Sequence, residues 1–479
     1  MIAQSKSPEP VPLCVDLDGT LIRSDLLLES ALMLVRTSPT TALAMPFWLI
    51  RGKAYLKARI ARHVDLRTDL LPANSEVVEL MESARRSDRP VVMATASTEK
   101  FATQVAKRFG PFDAVYTSDE SNNLSATAKA GKLVDAYGMG AFDYVANGRP
   151  DLLVWRLARR AIVIDPEVGV LTRLRKLGIQ PQLLHGRGNL LHPLIQAIRP
   201  HQWLKNVLLF LPILTAHLYS DGSALLAASL AFIAFCMAAS AGYLVNDLLD
   251  LEADRLHPRK RFRPFAAGDL PLSLGIAMIP LLILASFGIA TMLPSLFVAV
   301  LAVYLVVNLA YSLYLKQRPG LDVLILAILY TLRIIAGTAA LALAFSFWLL
   351  AFSMFLFLSL AFVKRFAELK VLEQDQRDLA PGRGYTVDDL ELVRSLGISA
   401  GFSAVLVMSL YVNSPEISVL YGRPELIWLI CPIVLYWIAR VWTITHKGLM
   451  HDDPVVFAIE DRVSQFCALL SVIIVWLAV

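Results

Sequence analysis

Cysteine is scarce in this chain: four residues among 479 (Cys14, Cys236, Cys431, Cys467), with no paired spacing. That pattern argues against a disulfide framework and against a zinc site. Three of the four sit in apolar runs, where a small buried thiol is ordinary. Charge is scarce as well. Asp, Glu, Lys and Arg make up 18% of the residues, whereas a soluble domain carries about 25%. The net charge of +5 comes without a basic stripe, so nucleic acid is not an expected partner. The opening MIAQSKSPEPVP lacks the basic-then-apolar order of a secretory signal, and the first domain is expected to stay in the cytoplasm. Apolar residues are what the chain has in excess: 56%, with a mean hydropathy of +0.57. Globular proteins hold about 45–50%, so much of the chain must face lipid.

The character of the sequence changes near residue 190, which predicts two domains, 1–190 and 191–479. In the first, short apolar runs at 12–16, 90–95, 113–117, 144–146 and 161–164 alternate with helical patterns. That alternation predicts an α/β domain with a mostly parallel sheet. An insertion of about 60 residues follows the first run, far more than a loop needs. Their pattern is helical, so a cap is expected over about 25–86. The apolar stretch 42–50 within it is read as ordinary packing of that cap rather than as a membrane contact.

In the second domain nine apolar runs follow, near 206–220, 223–245, 270–290, 293–315, 322–344, 346–363, 393–413, 425–444 and 463–479. Their lengths suit membrane helices, the first and last being short. Loops after the even-numbered runs carry Arg255, Arg259, Lys260, Arg261, Arg263, Lys316, Arg318, Lys364, Arg365, Lys370, Arg377, Arg383 and Lys447. Loops one–two, three–four and five–six carry no Lys or Arg, and loop seven–eight only Arg423. Positive loops stay inside. The expectation is a multi-pass cell-membrane protein with its N-terminal domain and even-span loops cytoplasmic and its C-terminus outside.

The segment NDLLDLEADRLHPRKRFRP, from Asn246 to Pro264, joins acids to bases. Asp247, Asp250 and Asp254 are spaced i, i+3, i+7 and are expected on one helical face, bordered by Asn246. Three carboxylates at a membrane boundary repel one another unless a cation binds them, and hard oxygen ligands suit Mg²⁺. Arg255, His257, Lys260, Arg261 and Arg263 follow at once and are placed to hold diphosphate oxygens. A solvated loop with balanced charges is the bland alternative, and the phase of the acids speaks against it. The motif N-D-x-x-D-x-x-x-D-R-x-H-P-x-K-x-x-R-P resembles the first signature of the UbiA prenyltransferase superfamily. The resemblance covers essentially all of 195–479. It implies an all-α bundle of nine membrane helices around a lipid-open cavity, with a Mg²⁺-diphosphate substrate at the cytoplasmic end.

Tyr311 and Lys316 lie around the loop after the fourth run, Asp322 opens the fifth, and Arg333 lies within it. Asp322 and Arg333 are about three turns apart on nearly one face, so a structural ion pair between them is the bland reading. The family's second motif, D-x-x-x-D, has Leu326 at its second acid here. The segments holding Lys205, Lys364, Arg365 and Tyr385 look like the decaprenyl-phosphate phosphoribosyltransferase branch, which takes phosphoribosyl diphosphate and a polyprenyl phosphate. Two anionic substrates call for the extra cations Lys205, Lys316, Arg333, Lys364 and Arg365. The alternatives are prenyl transfer to an aromatic acceptor, and a non-enzymatic transporter or scaffold. The segment from Met450 to Arg462 is also similar to this family, its acids either closing the site or capping a helix.

In the first domain, Asp16-Leu-Asp18-Gly-Thr20 resembles the opening motif of the HAD hydrolases. The resemblance implies a nucleophile at Asp16 and a general acid/base at Asp18. Thr95, in Met93-Ala-Thr95-Ala-Ser97, is similar to the phosphate-binding residue, and Lys129, or else Lys132, to the motif lysine. The last motif should read G-D-x-x-x-D, but Asn147 replaces its first acid. Asp151 remains as a metal ligand beside Asp16 and Asp18. A phosphatase acting on the phosphorylated product is the expectation.

Overall fold

The computed structural model describes residues 10–120, 122–374, 384–414, 417, 421–450 and 454–479. Two compact units emerge, and neither follows chain order. The first joins Met1–Ala197 to Asn246–Ala277, and the second joins Ile198–Val245 to Met278–Val479. The acidic segment therefore packs with the N-terminal unit.

The first unit contains a six-stranded, all-parallel sheet in the order β3-β2-β1-β4-β5-β6. The strands are β1 Leu13–Val15, β2 Val91–Thr98, β3 Ala114–Ser118, β4 Asp143–Ala146, β5 Arg160–Val163 and β6 Gln182–Leu183. The five expected strands are all present; β6, two exposed residues, is an addition. Strands β1 and β4 are buried throughout, as continuous apolar runs in a parallel sheet must be. Helices α1 Leu26–Thr37, α2 Lys53–His63 and α3 Ser75–Arg86 fill the long insertion, followed by α4 Glu99–Phe109 and α5 Thr127–Tyr137. Asp25 caps α1, its side chain accepting from Leu28 N at 2.9 Å, which satisfies one of the orphan N–H groups of the first turn.

The stretch 42–50 departs from expectation. It forms short helices over Pro39–Ile50, in which only Ala42 and Trp48 are buried. Leu43, Phe47, Leu49 and Ile50 are exposed. So short a helix turns one face to the core, and here that face is taken by Trp48, stacked on His63 at 5.6 Å.

The apolar helices of the remaining chain are α6 Gly222–Leu249, α7 Leu272–Ala290, α8 Ser295–Leu313, α9 Leu321–Ala340, α10 Phe347–Gln374, α11 Val387–Val412 and α12 Pro424–His446. Among the described residues these seven are long and apolar enough to cross a membrane. The last expected run, 463–479, is the single helix α14 Arg462–Ala478, which meets the preceding short helix α13 Pro454–Glu460 at a bend of 75°. The bend falls at Asp461, which caps α14 by accepting from Ser464 N at 2.8 Å and is held by Arg440 at 2.7 Å. The first expected run, 206–220, is not one long α-helix. It is a 3-10 segment, Pro200–Phe210, followed by Leu211–Thr215. Pro212, in the first turn of that helix, has no N–H for an α-type bond.

Candidate functional site

In the first unit the acidic motif straddles a helix break. Asn246 and Asp247 end α6, and Asp250 is the N-cap of a short helix, Leu251–Leu256. The break divides the three acids. Asp247 and Asp254 are buried and share one cation, Arg263, at 3.2 and 2.7 Å. Asp250 instead meets Arg36 of α1 at 3.5 Å. The single face expected for all three is thus a face for two, because the backbone leaves helical φ,ψ at Asp250. Burial pushes the Asp254 carboxyl up to about 6, with Arg263 pulling it down and Asp247 adding to the rise.

Arg255, expected on a diphosphate, is engaged elsewhere. Its guanidinium grips Glu29 of α1 through Nη1 at 3.0 Å and Nη2 at 2.5 Å, and Nε donates to Ala266 O at 3.2 Å. The side chains of both partners are more than nine-tenths buried. Glu29 also accepts from Ser24 at 2.5 Å. Arg36 donates to Leu249 O at 3.2 Å. Helix α1 therefore holds both ends of the acidic turn through residues one heptad apart. Sequence reasoning passed over Glu29, although a lone acid in an apolar helix was a signal. His257 Nδ1 accepts from the N–H groups of Arg259 and Lys260 at 3.2 and 3.3 Å, and so shapes the turn. Lys260 is half-buried near Asp254.

In the second unit the ion pair of Asp322 is not the bland alternative, Arg333, but Arg365. Asp322, in the first turn of α9, lies 2.5 Å from Arg365 of α10, both side chains fully buried. Tyr385 donates to Asp322 at 2.7 Å and accepts from Gly320 N at 2.7 Å. Arg365 also pairs with Glu368, lies over the Tyr385 ring at 5.4 Å and neighbours Tyr311. Arg333 makes no pair with Asp322. Eleven residues of helix put them about 16 Å apart, beyond side-chain contact. Arg333 instead donates to Asn206 at 2.8 Å and sits among the rings of Phe235, Tyr304 and Tyr330 at 5.7, 5.4 and 5.3 Å. Lys205, buried, lies 5.9 Å from the same Tyr330 ring. Two buried cations are therefore brought to one aromatic ring, an arrangement that suits an anionic ligand. Gly337 makes this possible: a Cβ there would lie 2.2 Å from Leu209 O, so only glycine admits the 3-10 segment that carries Lys205 and Asn206. Lys364 is half-buried on α10, and Lys316 sits in the 3-10 turn Leu315–Gln317. Arg377, Arg383 and His451–Asp453 lie outside the described residues.

A third cluster follows β1. Lys129 Nζ donates to Asp16 at 2.7 Å, to Tyr144 OH at 2.9 Å and to Asp151 at 3.2 Å. Lys129, and not Lys132, is thus the lysine of this site; Lys132 lies over the Tyr116 ring at 5.5 Å. Tyr144, unforeseen in the sequence, donates to Asp151 at 2.7 Å. Asp18 accepts from Leu26 N at 2.8 Å and from Ser97 Oγ at 2.5 Å, while the Thr95 hydroxyl accepts from Ser97 N at 3.0 Å. Ser97 therefore touches the acid and Thr95 supports Ser97. Burial pushes Asp16 up to about 6 against the pull of Lys129, and pushes Asp18 up to about 7 with help from Asp25. Gly19, at φ +70°, faces Asn147: a Cβ would lie 2.4 Å from its side-chain nitrogen. Lys57 of α2 reaches in from the insertion, donating to Ala96 O at 2.6 Å.

Among the described residues no three His, Cys, Asp or Glu side chains gather closely enough to hold a metal ion. The donors still fit a hard cation at the acidic motif. Asp247 and Asp254 are buried oxygen donors that already converge on one positive group, Arg263.

The UbiA prenyltransferase family model matches residues 209–460. The uncharacterized protein y4nM of Sinorhizobium fredii is 35% identical over 95% of this chain and 89% of its own. The nodulation protein NoeC of Azorhizobium caulinodans is 38% identical over 57% of this chain and 89% of its own. The decaprenyl-phosphate phosphoribosyltransferase of Mycolicibacterium smegmatis is 35% identical over 58% of this chain and 89% of its own. With its apolar helices and its acidic motif, the chain is a multi-pass membrane protein that belongs to the UbiA prenyltransferase family.

Proposed function

We propose that the chain transfers the phosphoribosyl group of phosphoribosyl diphosphate to a polyprenyl phosphate. The observation that carries this reading is the pairing of buried cations Lys205 and Arg333, which suits a second anionic substrate. The 35% identity to a decaprenyl-phosphate phosphoribosyltransferase supports it. Asp247 and Asp254, with Asp250 beside them, are the residues to hold Mg²⁺. A bound Mg²⁺ would neutralise charge on the departing diphosphate. Lys260 and Arg263 stand next to these acids to orient diphosphate oxygens, and Lys316, Lys364 and Tyr311 are the remaining candidates for substrate contact. A lipid phosphate oxygen forms a bond to the ribose anomeric carbon as the carbon–oxygen bond to diphosphate breaks, and the diphosphate takes the electron pair. Rate enhancement then comes from positioning and charge stabilisation. Prenyl transfer to an aromatic acceptor, which the family name favours, needs fewer cations in the membrane.

The same reading gives the chain nine crossings, the 3-10 segment opening the first, with the N-terminal unit and the even-span loops in the cytoplasm. The domains are then 1–190, a HAD-type phosphatase with its cap near 25–86, and 191–479, the transferase. Asp16 attacks phosphorus, and Asp18 protonates the departing oxygen and then draws the proton from the hydrolytic water. A carboxyl raised to about 7 suits that double role near neutral pH. Its natural substrate is the 5-phosphate of the lipid-linked ribose.

The test uses membranes with labelled phosphoribosyl diphosphate and polyprenyl phosphate. Label should enter the lipid fraction, and Asp247→Asn should lower that rate by about 100-fold or more. Aqueous label, with turnover of a prenyl diphosphate and an aromatic acid, would reverse the assignment. Asp16→Asn should leave the product phosphorylated.

A further inference from the structure

The helical insertion of the first unit carries a surface that neither reaction uses. Between Glu29 and Asp65 there is no acid, while Arg36, Arg51, Lys53, Lys57, Arg59 and Arg62 supply six positive charges. Within this stretch the short helices of Pro39–Ile50 expose Leu43, Phe47 and Ile50 at 75, 70 and 82%. Their spacing of i, i+4 and i+7 puts them on one helical face. Trp48 is turned inward against His63, with Arg59 over its ring at 5.5 Å, which fixes the opposite face outward. Arg51 and Lys53 follow at once and are exposed. Single exposed apolar residues are ordinary on a soluble surface, but three on one face beside Arg51 and Lys53, in a stretch with no acid of its own, are the mark of an interfacial element.

We propose that this face docks on the bilayer itself. Leu43, Phe47 and Ile50 enter the boundary between headgroups and acyl chains, and Arg51 and Lys53 lie against anionic headgroups. The occupant follows from charge: the patch offers cations and no carboxylate, which complements a negatively charged leaflet. The chain spans the membrane elsewhere, so this surface is tethered near lipid and needs only modest affinity to stay engaged.

The test places a benzophenone-bearing phenylalanine at position 47 of the full-length protein in liposomes. A second variant places it at Met139, which is as exposed (72%) but lies in the turn between α5 and β4, outside the insertion. In vesicles containing phosphatidylglycerol, illumination should give lipid adducts at 47 in large excess over 139. Adduct yield at 47 should fall in pure phosphatidylcholine, and R51Q/K53Q should lower it in anionic vesicles, each cation contributing about fivefold. Equal lipid labelling at the two positions, adducts at 47 to protein rather than lipid, or a yield indifferent to phosphatidylglycerol would each overturn the proposal.

Discussion

Glu29 and Arg255 show what one side chain decides. Both are buried and bidentate, and removing one leaves an uncompensated charge away from water. Glu29→Ala should therefore destabilise the first unit by about 3–5 kcal/mol. Glu29→Leu with Arg255→Met should recover much of that loss, and denaturation of the purified protein in detergent measures both. Asp143 gives a pH dependence of known sign. Burial alone would raise its carboxyl, but hydrogen bonds from Arg159 and Arg89 at 2.6–2.8 Å outweigh burial and hold it below the usual carboxylate range. A depressed carboxyl contributes stability that is present above its unfolded value, about 3.9, and lost as pH falls through the folded value. Unfolding midpoints of the wild type should drop more steeply below about pH 4 than those of Asp143→Asn. Equal slopes would remove Asp143 from that account.

At the scale of elements, Gly337 of α9 sets how closely the 3-10 segment can approach. Gly337→Ala would drive a methyl into the Leu209 backbone, which cannot rotate away as a side chain can. A loss of about 1–3 kcal/mol is expected, together with weaker binding of the lipid phosphate, since Lys205 and Asn206 ride on that segment. A raised KM for the lipid with the diphosphate KM unchanged would be the signature. Element types were legible where the pattern was long. The five strands and the seven long helices follow from period and run length. What escaped the sequence was local breakage. The carboxylates of 247–254 share a helical phase on paper, but Asp250 takes a non-helical conformation and turns its side chain to Arg36. Pairing across 43 residues, as between Asp322 and Arg365, cannot be read from a helical wheel, which offered Arg333 as a partner only in the bland alternative. Lys129 was legible from its motif; Tyr144 and Ser97 needed the folded sheet to bring them to Asp151 and Asp18.

For the whole molecule, the distribution of Lys and Arg makes a claim about sidedness. Single cysteines introduced at Lys132 and after Val479 should react with an impermeant thiol reagent from opposite sides of sealed vesicles, the first from the cytoplasmic face. Reaction of both from one side would require an even number of crossings and would undo the nine-span reading. The division into units adds a point that chain order conceals. A segment embedded among the apolar helices in the sequence, Asn246–Ala277, packs with the unit that holds the parallel sheet.

The bidentate pair that joins α1 to the acidic turn has an evolutionary corollary. Positions 29 and 255 stand 226 residues apart in the gene, yet a substitution at either alone strands a charge in a dry interior. Descendants should therefore keep both or exchange both, and a lineage that discards the amino-terminal half must find its arginine a new counterion or mutate it.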